Sequence, residues 1–327
     1  MQIGPLMTDL TPTSSADLAR ADEHRKAAAY AVNAKAPATQ DAYRSDWEDF
    51  VGWCRSRAYV ELPANPQTVA AYLASLADVA KTATVQRRLS AIRYAHLLSG
   101  NPTPTTDPYV REVMDGIRRM KGTRPRQAQA ATLDPLRAML ATLPDDLSGL
   151  RDHALLLIGF AGGFRRAALC ALDRADVTFV SEGMDVLIRK DKTDQAGQGR
   201  ELAIAYGKHR DTCPVRALRA WLDAAGITAG PIFRGVAKGG KTVRKGRLDP
   251  GSVARIVKRA AARAGLPDAD DFSGHSLRSG LATEAARSGA TDNEIMDQTG
   301  HTDVRSVKRY IRRGRRFTDN VLNKIDL

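Results

Sequence analysis

Between Ser273 and Arg316 the chain reads SGHSLRSGLATEAARSGATDNEIMDQTGHTDVRSVKRYIRRGRR. His275 and Arg278 stand three apart at the start of a helical pattern. His301 follows a glycine, and Tyr310 comes nine residues later in a basic run. Two cations lie far upstream: Arg165 after Gly162-Gly163, and Lys192 in the polar run Arg189-Lys190-Asp191-Lys192-Thr193-Asp194-Gln195. Singly, each has an ordinary structural explanation: a capping arginine, a solvated lysine, a packed histidine, a half-buried tyrosine. Short motifs mislead when taken alone. Together they meet the needs of attack on a phosphodiester. The transition state gathers charge on its nonbridging oxygens, and preorganised cations stabilise it. Arg165 and Arg278 suit that task, because a planar guanidinium fork can bond two oxygens at once. A tyrosine phenol, with a free pKa of about 10, needs a proton acceptor or positive surroundings to attack near neutrality. The leaving oxygen needs a general acid, a role open to Lys192 on a strand–strand loop. His275 and His301 can donate to phosphate oxygens or relay the tyrosine proton.

The elements that must position these residues follow from periodicity. Residues 1–14 are polar and contain proline, a tail in expectation. An Ala-rich helical pattern runs from Ser15 to Ala34 and stops at Pro37; Thr39 is placed to cap the next helix. Tyr43, Trp47, Phe50 and Cys54 then recur at helical spacing, a core stripe. Further helices are predicted from Pro66, over Thr84–Leu98 with Val85, Leu89, Ile92 and His96 inward, and over Asp107–Met120. Residues 15–120 thus form an all-helical domain without a chemical cluster. The basic, Pro-interrupted run at 121–131 reads as a linker. The second domain, 132–327, begins with helices at Leu133–Leu143, Leu150–Phe160 and Ala167–Leu172. The period then turns strand-like over Val177–Val180, Met184–Ile188 and Glu201–Ala205. Helices return over 211–225, 249–265, 274–288, 291–298 and 302–312, with a tail helix after Thr318. The fold class is mainly α, with one small antiparallel sheet.

The totals agree with two domains and a polyanionic partner. A chain of 327 residues is long for one core. Its formal charge of +13 suits a surface that gains by releasing phosphate counterions. Cys54, Cys170 and Cys213 are odd in number and widely spaced, giving neither a disulfide framework nor a CxxC zinc pair. Reduced thiols favour an intracellular protein. No apolar run approaches the ~20 residues of a membrane span, and the start MQIGPLMTDLTPTSS lacks the layout of a secretory signal.

The order Arg165, Lys192, His275-Ser-Leu-Arg278, His301, Tyr310 resembles the tyrosine recombinases, or phage-type integrases, and within them the Cre-like branch. The resemblance covers nearly the whole chain. TQDAYRSDWEDFVGWC and KTATVQRRLSAIRYAHLLSGNPTPT look like that branch's helical core-binding domain. It implies a catalytic second domain in which Tyr310 forms a 3′-phosphotyrosine, frees a 5′-hydroxyl and exchanges strands through a Holliday junction. It also implies no cofactor, no metal and no ATP, because the protein–DNA bond stores the energy. The partners implied are double-stranded DNA target sites and three further copies, a homotetramer on two sites. The tail Phe317–Leu327 is then expected to dock on a neighbouring subunit through Phe317, Val321, Leu322 and Ile325. Thr39, Gln40, Arg44, Arg87 and Arg88 on the first domain, with Arg255 and Lys258 on the second, are expected to face DNA. Such contacts mostly position the backbone. The expected location is the cytoplasm, on the nucleoid when DNA-bound. One position departs from the family pattern: three residues after Arg165, where an acidic residue is usual, stands Ala168. Competing readings are a type IB topoisomerase, a telomere resolvase, or a DNA-binding regulator of the same fold with weakened chemistry. A zinc site on His275 and His301 fits no common ligand spacing.

Overall fold

The computed structural model describes residues 34–122, 128–191 and 198–325, with Asp22, Glu23, Lys26 and Tyr30. The expected tail at 1–14 lies outside them, as does most of the Ala-rich helix. The chain divides into two compact units, Met1–Pro125 and Arg126–Leu327.

The first unit is built from α1 (Pro37–Arg55), α2 (Pro66–Ala77), α3 (Thr82–Leu98) and α4 (Pro108–Lys121). Pro37 opens α1 instead of ending the segment before it. Its fixed φ and missing N–H suit the first helical turn, so Ala36 is the N-cap and Thr39 lies inside the helix. Side chains cap the next starts: Asn65 accepts from the Gln67 N–H, and Asp107 from the Tyr109 N–H. Trp47, Phe50 and Cys54 bury the face of α1 against Tyr72, Leu73, Ile92 and Met114. Each large apolar side chain there contributes about 1.5–3 kcal/mol. His96 is a structural member of this core. Its Nε2 accepts from the Ala64 N–H at 2.9 Å, so its Nδ1 carries the proton and donates to the Ile92 carbonyl at 2.8 Å.

The second unit starts inside the run expected as linker. The Gln129 N–H donates to the Asp271 carbonyl and the Ala131 N–H to the Ser276 carbonyl, while Ala130 and Ala131 are buried. Two small side chains in a basic loop hide this role from the sequence. Then come α5 (Leu133–Ala141), α6 (Leu147–Ala161) and α7 (Arg166–Ala171). The strands β1 (Val177–Phe179), β2 (Gly183–Ile188) and β3 (Arg200–Ala205) form an antiparallel sheet in the order β1-β2-β3. Val186 pairs with Leu202 and Met184 with Ile204, which turns four apolar side chains toward the core. After α8 (Pro214–Ala224) a second hairpin, β4 (Arg234–Val236) and β5 (Val243–Arg247), adds a sheet that the periodicity did not announce. The helices α9 (Pro250–Arg263), α10 (Gly274–Arg287), α11 (Asp292–Thr299) and α12 (Val304–Arg315) complete the unit.

One large core joins α5–α9 to the sheets, and a smaller cluster of Ala282, Ala286, Ile295, Val307 and Ile311 binds α10, α11 and α12 together. The smaller cluster matters most to the site, because α12 carries Tyr310. The tail is a short 3-10 turn, Val321–Lys324, with Phe317, Val321, Leu322 and Ile325 exposed. Cys54, Cys170 and Cys213 are free thiols, all buried. Among the described residues no helix is long and apolar enough to cross a membrane.

Candidate active site

The Gly162-Gly163 turn after α6 brings the upstream and downstream residues together. Gly163 has φ +56°, a conformation open to glycine, and a Cβ there would lie 2.9 Å from Thr299 Cγ2. Its carbonyl accepts from Arg278 Nη1 at 2.7 Å. Two residues on, Arg165 is the N-cap of α7 and pairs with Asp191, just past the end of β2. Downstream, Ser273 caps α10, its hydroxyl accepting from the His275 N–H, and a capping box with Ser276 closes the start. His275 and Arg278 are then one turn apart on neighbouring positions.

Arg278 is 2% exposed and reaches inward, where its Nη1 also donates to the Thr299 carbonyl. Its Nη2 is buried without a hydrogen-bond partner among the described residues. Leaving such a donor unmade costs about 1–3 kcal/mol, more for a charged group, so it is a site prepared for an acceptor. Burial, with repulsion from Arg165, lowers the pKa of Arg278 to about 10. The guanidinium is still charged at neutral pH.

The two histidines are held neutral. Burial, then Arg278, Arg165 and His275, push His301 down to about 3. The Thr299 hydroxyl gives its one proton to the Ile295 carbonyl at 2.5 Å, so it accepts from His301 Nδ1 at 2.6 Å. That leaves His301 Nε2 with its lone pair. His275 retains solvent exposure. Even so, protein crowded about the ring disfavours its cation, and Arg278, Arg165, Arg166 and Arg309 add repulsion, so its pKa is also lowered. His275 Nε2 lies 2.5 Å from the Tyr310 hydroxyl, with the rings tilted at 60°. A neutral imidazole protonated at Nδ1 accepts the phenol proton in that geometry.

Arg165, His275, Arg278, His301 and Tyr310 therefore converge from the α7 cap, α10, the turn after α11, and α12. Lys192 lies outside the described residues. Two residues absent from the sequence expectation join the group. Asp191 pairs with Arg165 and also acts electrostatically on Arg200, Arg278 and His301. Ala168 is buried on α7, so the carboxylate beside Arg165 comes from Asp191. Arg200, at the start of β3, donates to the Asp297 and Gln298 carbonyls. Asp191 had a sequence signal only in its place beside Lys192 in a charged run, and Arg200 had none beyond opening a short strand.

The residues expected to face DNA differ in their freedom. Arg44 is exposed and pairs with Asp41 at 2.9 Å, and Gln40 bonds the Lys35 carbonyl. Thr39 is half-buried in the first turn of α1. Arg87 makes a two-pronged pair with buried Asp46, at 2.7 and 2.9 Å, yet remains half exposed. Arg88 is committed within the bundle, donating to Asp49 at 2.5 Å and to the Tyr72 hydroxyl at 3.0 Å. On α9, Arg255 is exposed beside Ser252, and Lys258 is 3.8 Å from Asp270. Exposed Arg305, Lys308, Arg309 and Arg312 line a shallow basic hollow on α12.

Residues 130–315 match the Phage integrase family. An integrase/recombinase xerD homolog of Selenomonas ruminantium is 44% identical over 296 residues, covering 89% of this chain and 86% of its own. The recombinase cre of Escherichia phage P1 is 28% identical over 290 residues, 80% of each chain. A crystal structure of a lambda integrase (75–356) dimer bound to a COC′ core site shares the fold. Its TM-score is 0.60 at 20% identity, over 90% of this chain and 95% of that one. The family match across most of the second unit, and the 44% identity across most of the chain, make this protein a tyrosine recombinase of the phage integrase family.

Proposed function

We propose that the protein is a site-specific DNA recombinase in which Tyr310 is the nucleophile and Arg165, Arg278, His275, His301 and Lys192 serve the transfer. The observation that carries this reading is the 2.5 Å contact from the Tyr310 hydroxyl to neutral His275, beside a buried Arg278 with an unused donor. The xerD homolog and cre are recombinases by name, and that activity is carried to this chain here. The Tyr310 oxygen bonds to the scissile phosphorus as the bond from phosphorus to the 5′ oxygen breaks. The phenol proton passes to His275 Nε2, and the 5′ oxygen takes a proton from Lys192. Arg165 and Arg278 hold the nonbridging oxygens. The 5′-hydroxyl of a second duplex then attacks the 3′-phosphotyrosine and restores the diester. On this reading the protein works in the cytoplasm on nucleoid DNA, as a tetramer across two sites, and its tail docks on the next subunit.

A nicked suicide duplex carrying DNA from the source replicon tests the chemistry. The chain should form a covalent adduct in EDTA, and Tyr310→Phe should form none while still shifting the duplex in a gel. An adduct with Tyr310→Phe, or none on any flanking DNA, overturns the assignment. Deleting the residues after Arg316 tests the tail. Tetramer assembly should weaken more than single-site binding; equal retention of both removes the docking proposal.

A further inference from the structure

Arg200 has no role in the reaction just described, yet it occupies a constrained place. Its Nη1 donates to the Asp297 carbonyl at 3.1 Å and its Nη2 to the Gln298 carbonyl at 3.4 Å. Both acceptors lie in the last turn of α11, where helical carbonyls lack partners in their own helix. The negative end of the helix favours a cation at that position. Arg278 takes the next carbonyl, that of Thr299. Two guanidinium groups thus cap one short helix end, and His301 follows after a single residue.

That residue is Gly300, left-handed at φ 66° and ψ 44°, with its N–H returned to the Met296 carbonyl. A Cβ on Gly300 would stand 2.8 Å from Arg200 Nε, inside contact distance. Glycine therefore serves two ends here, the turn and the approach of the arginine. Arg200 is also held at some cost. Its Nε is buried without a partner among the described residues. Burial and Arg165 disfavour its charge, with Asp191 opposing them. A hairpin arginine with no task would turn outward and be solvated.

We infer that Arg200 is a positioning residue for His301: by bridging from the start of β3 to the C-terminus of α11, it fixes the turn from which His301 enters the active site. The inference rests on the proposed role of His301 in catalysis. It also ties the start of β3 to that turn, so the strand and His301 are set together.

A double-mutant cycle tests it. Arg200→Met removes the donors and keeps most of the side-chain length; His301→Ala removes the group it is held to position. Adduct formation on the nicked duplex is followed in single turnover, with gel-shift affinity and a thermal melt for each variant. Arg200→Met should slow adduct formation roughly five- to fiftyfold, with affinity unchanged within about twofold. Arg200→Lys, able to reach one carbonyl, should fall between. Added to His301→Ala, Arg200→Met should slow the rate by less than about twofold more, because the residue it acts through is gone. If the two losses multiply, or if Arg200→Met reacts at the wild-type rate, the inference is overturned. If His301→Ala alone reacts at the wild-type rate, the proposed role of His301 fails first. Should Arg200→Met not fold, the same cycle is run with Arg200→Lys.

Discussion

Arg165, Arg200, Arg278 and His301 meet with one carboxylate among the described residues, Asp191, acting on all four. The three guanidinium groups repel one another strongly where water is scarce, and the Asp191 carboxylate offsets that repulsion. Asp191 pairs directly with Arg165 and is largely shielded from solvent. Asp191→Asn keeps the shape and removes the charge. We expect it to slow adduct formation about tenfold, the loss of roughly 1.4 kcal/mol from one charge-assisted bond. Single-turnover cleavage measures this. Faster cleavage in Asp191→Asn would instead mean that the carboxylate competes with the phosphate for Arg165.

At the scale of elements, Tyr310 is as well placed as α12 is docked. Gly314 sets that docking: a Cβ there would run into the Thr283 carbonyl oxygen and come 2.9 Å from Ala286 Cβ, both on α10. Gly314→Ala must push α12 away from α10. It should lower stability by about 1–3 kcal/mol, as overpacking does, and slow cleavage by more than it weakens DNA binding. A denaturant melt beside the adduct assay checks both, and an unchanged melt would show that the helices have room. Periodicity made α1–α12 legible, since Trp47, Phe50, Leu89 and Ile92 repeat on one face and stay buried. It did not reveal β4 and β5. Arg234–Val236 and Val243–Arg247 are half-buried or exposed and rich in cations, so no alternation marks them. The gathering of Arg165, His275, Arg278, His301 and Tyr310 into one candidate site was legible because the chemistry demands those residue types. Asp191 and Arg200 were not, because a loop carboxylate and a strand-end arginine take their meaning only from what lies across space.

Over the whole molecule, each unit carries at least one histidine shielded from water, fully at His96 and partly at His153 and His301, and acid should act on both units. His96 in the first unit, and His153 and His301 in the second, all have lowered pKa values, with burial the leading cause. An unfolded histidine takes up its proton near pH 6.5, at about its free pKa. The folded chain refuses that proton until lower pH, near 3 for His301. Between those values the unfolded state binds more protons, so stability falls as pH drops below about 6.5. The melting temperature should therefore decline from pH 7 to pH 5, and replacing His96 with Gln should reduce the decline. A melting temperature that rises toward pH 5 would contradict it.

The sealed thiols have a practical consequence. Burial holds Cys54 at about 11 and Cys170 at about 12, and Cys213 shows no exposed surface. Thiolate is the species that reacts with maleimides; burial suppresses it at Cys54 and Cys170, while at Cys213, where burial is outweighed by backbone hydrogen bonds that lower the pKa, the sulfur is simply out of reach. A cysteine introduced on an exposed helix face would then take a fluorophore alone, without removal of the natural three. Each unit could carry its own dye, and the assembly of this recombinase on DNA could be followed one molecule at a time.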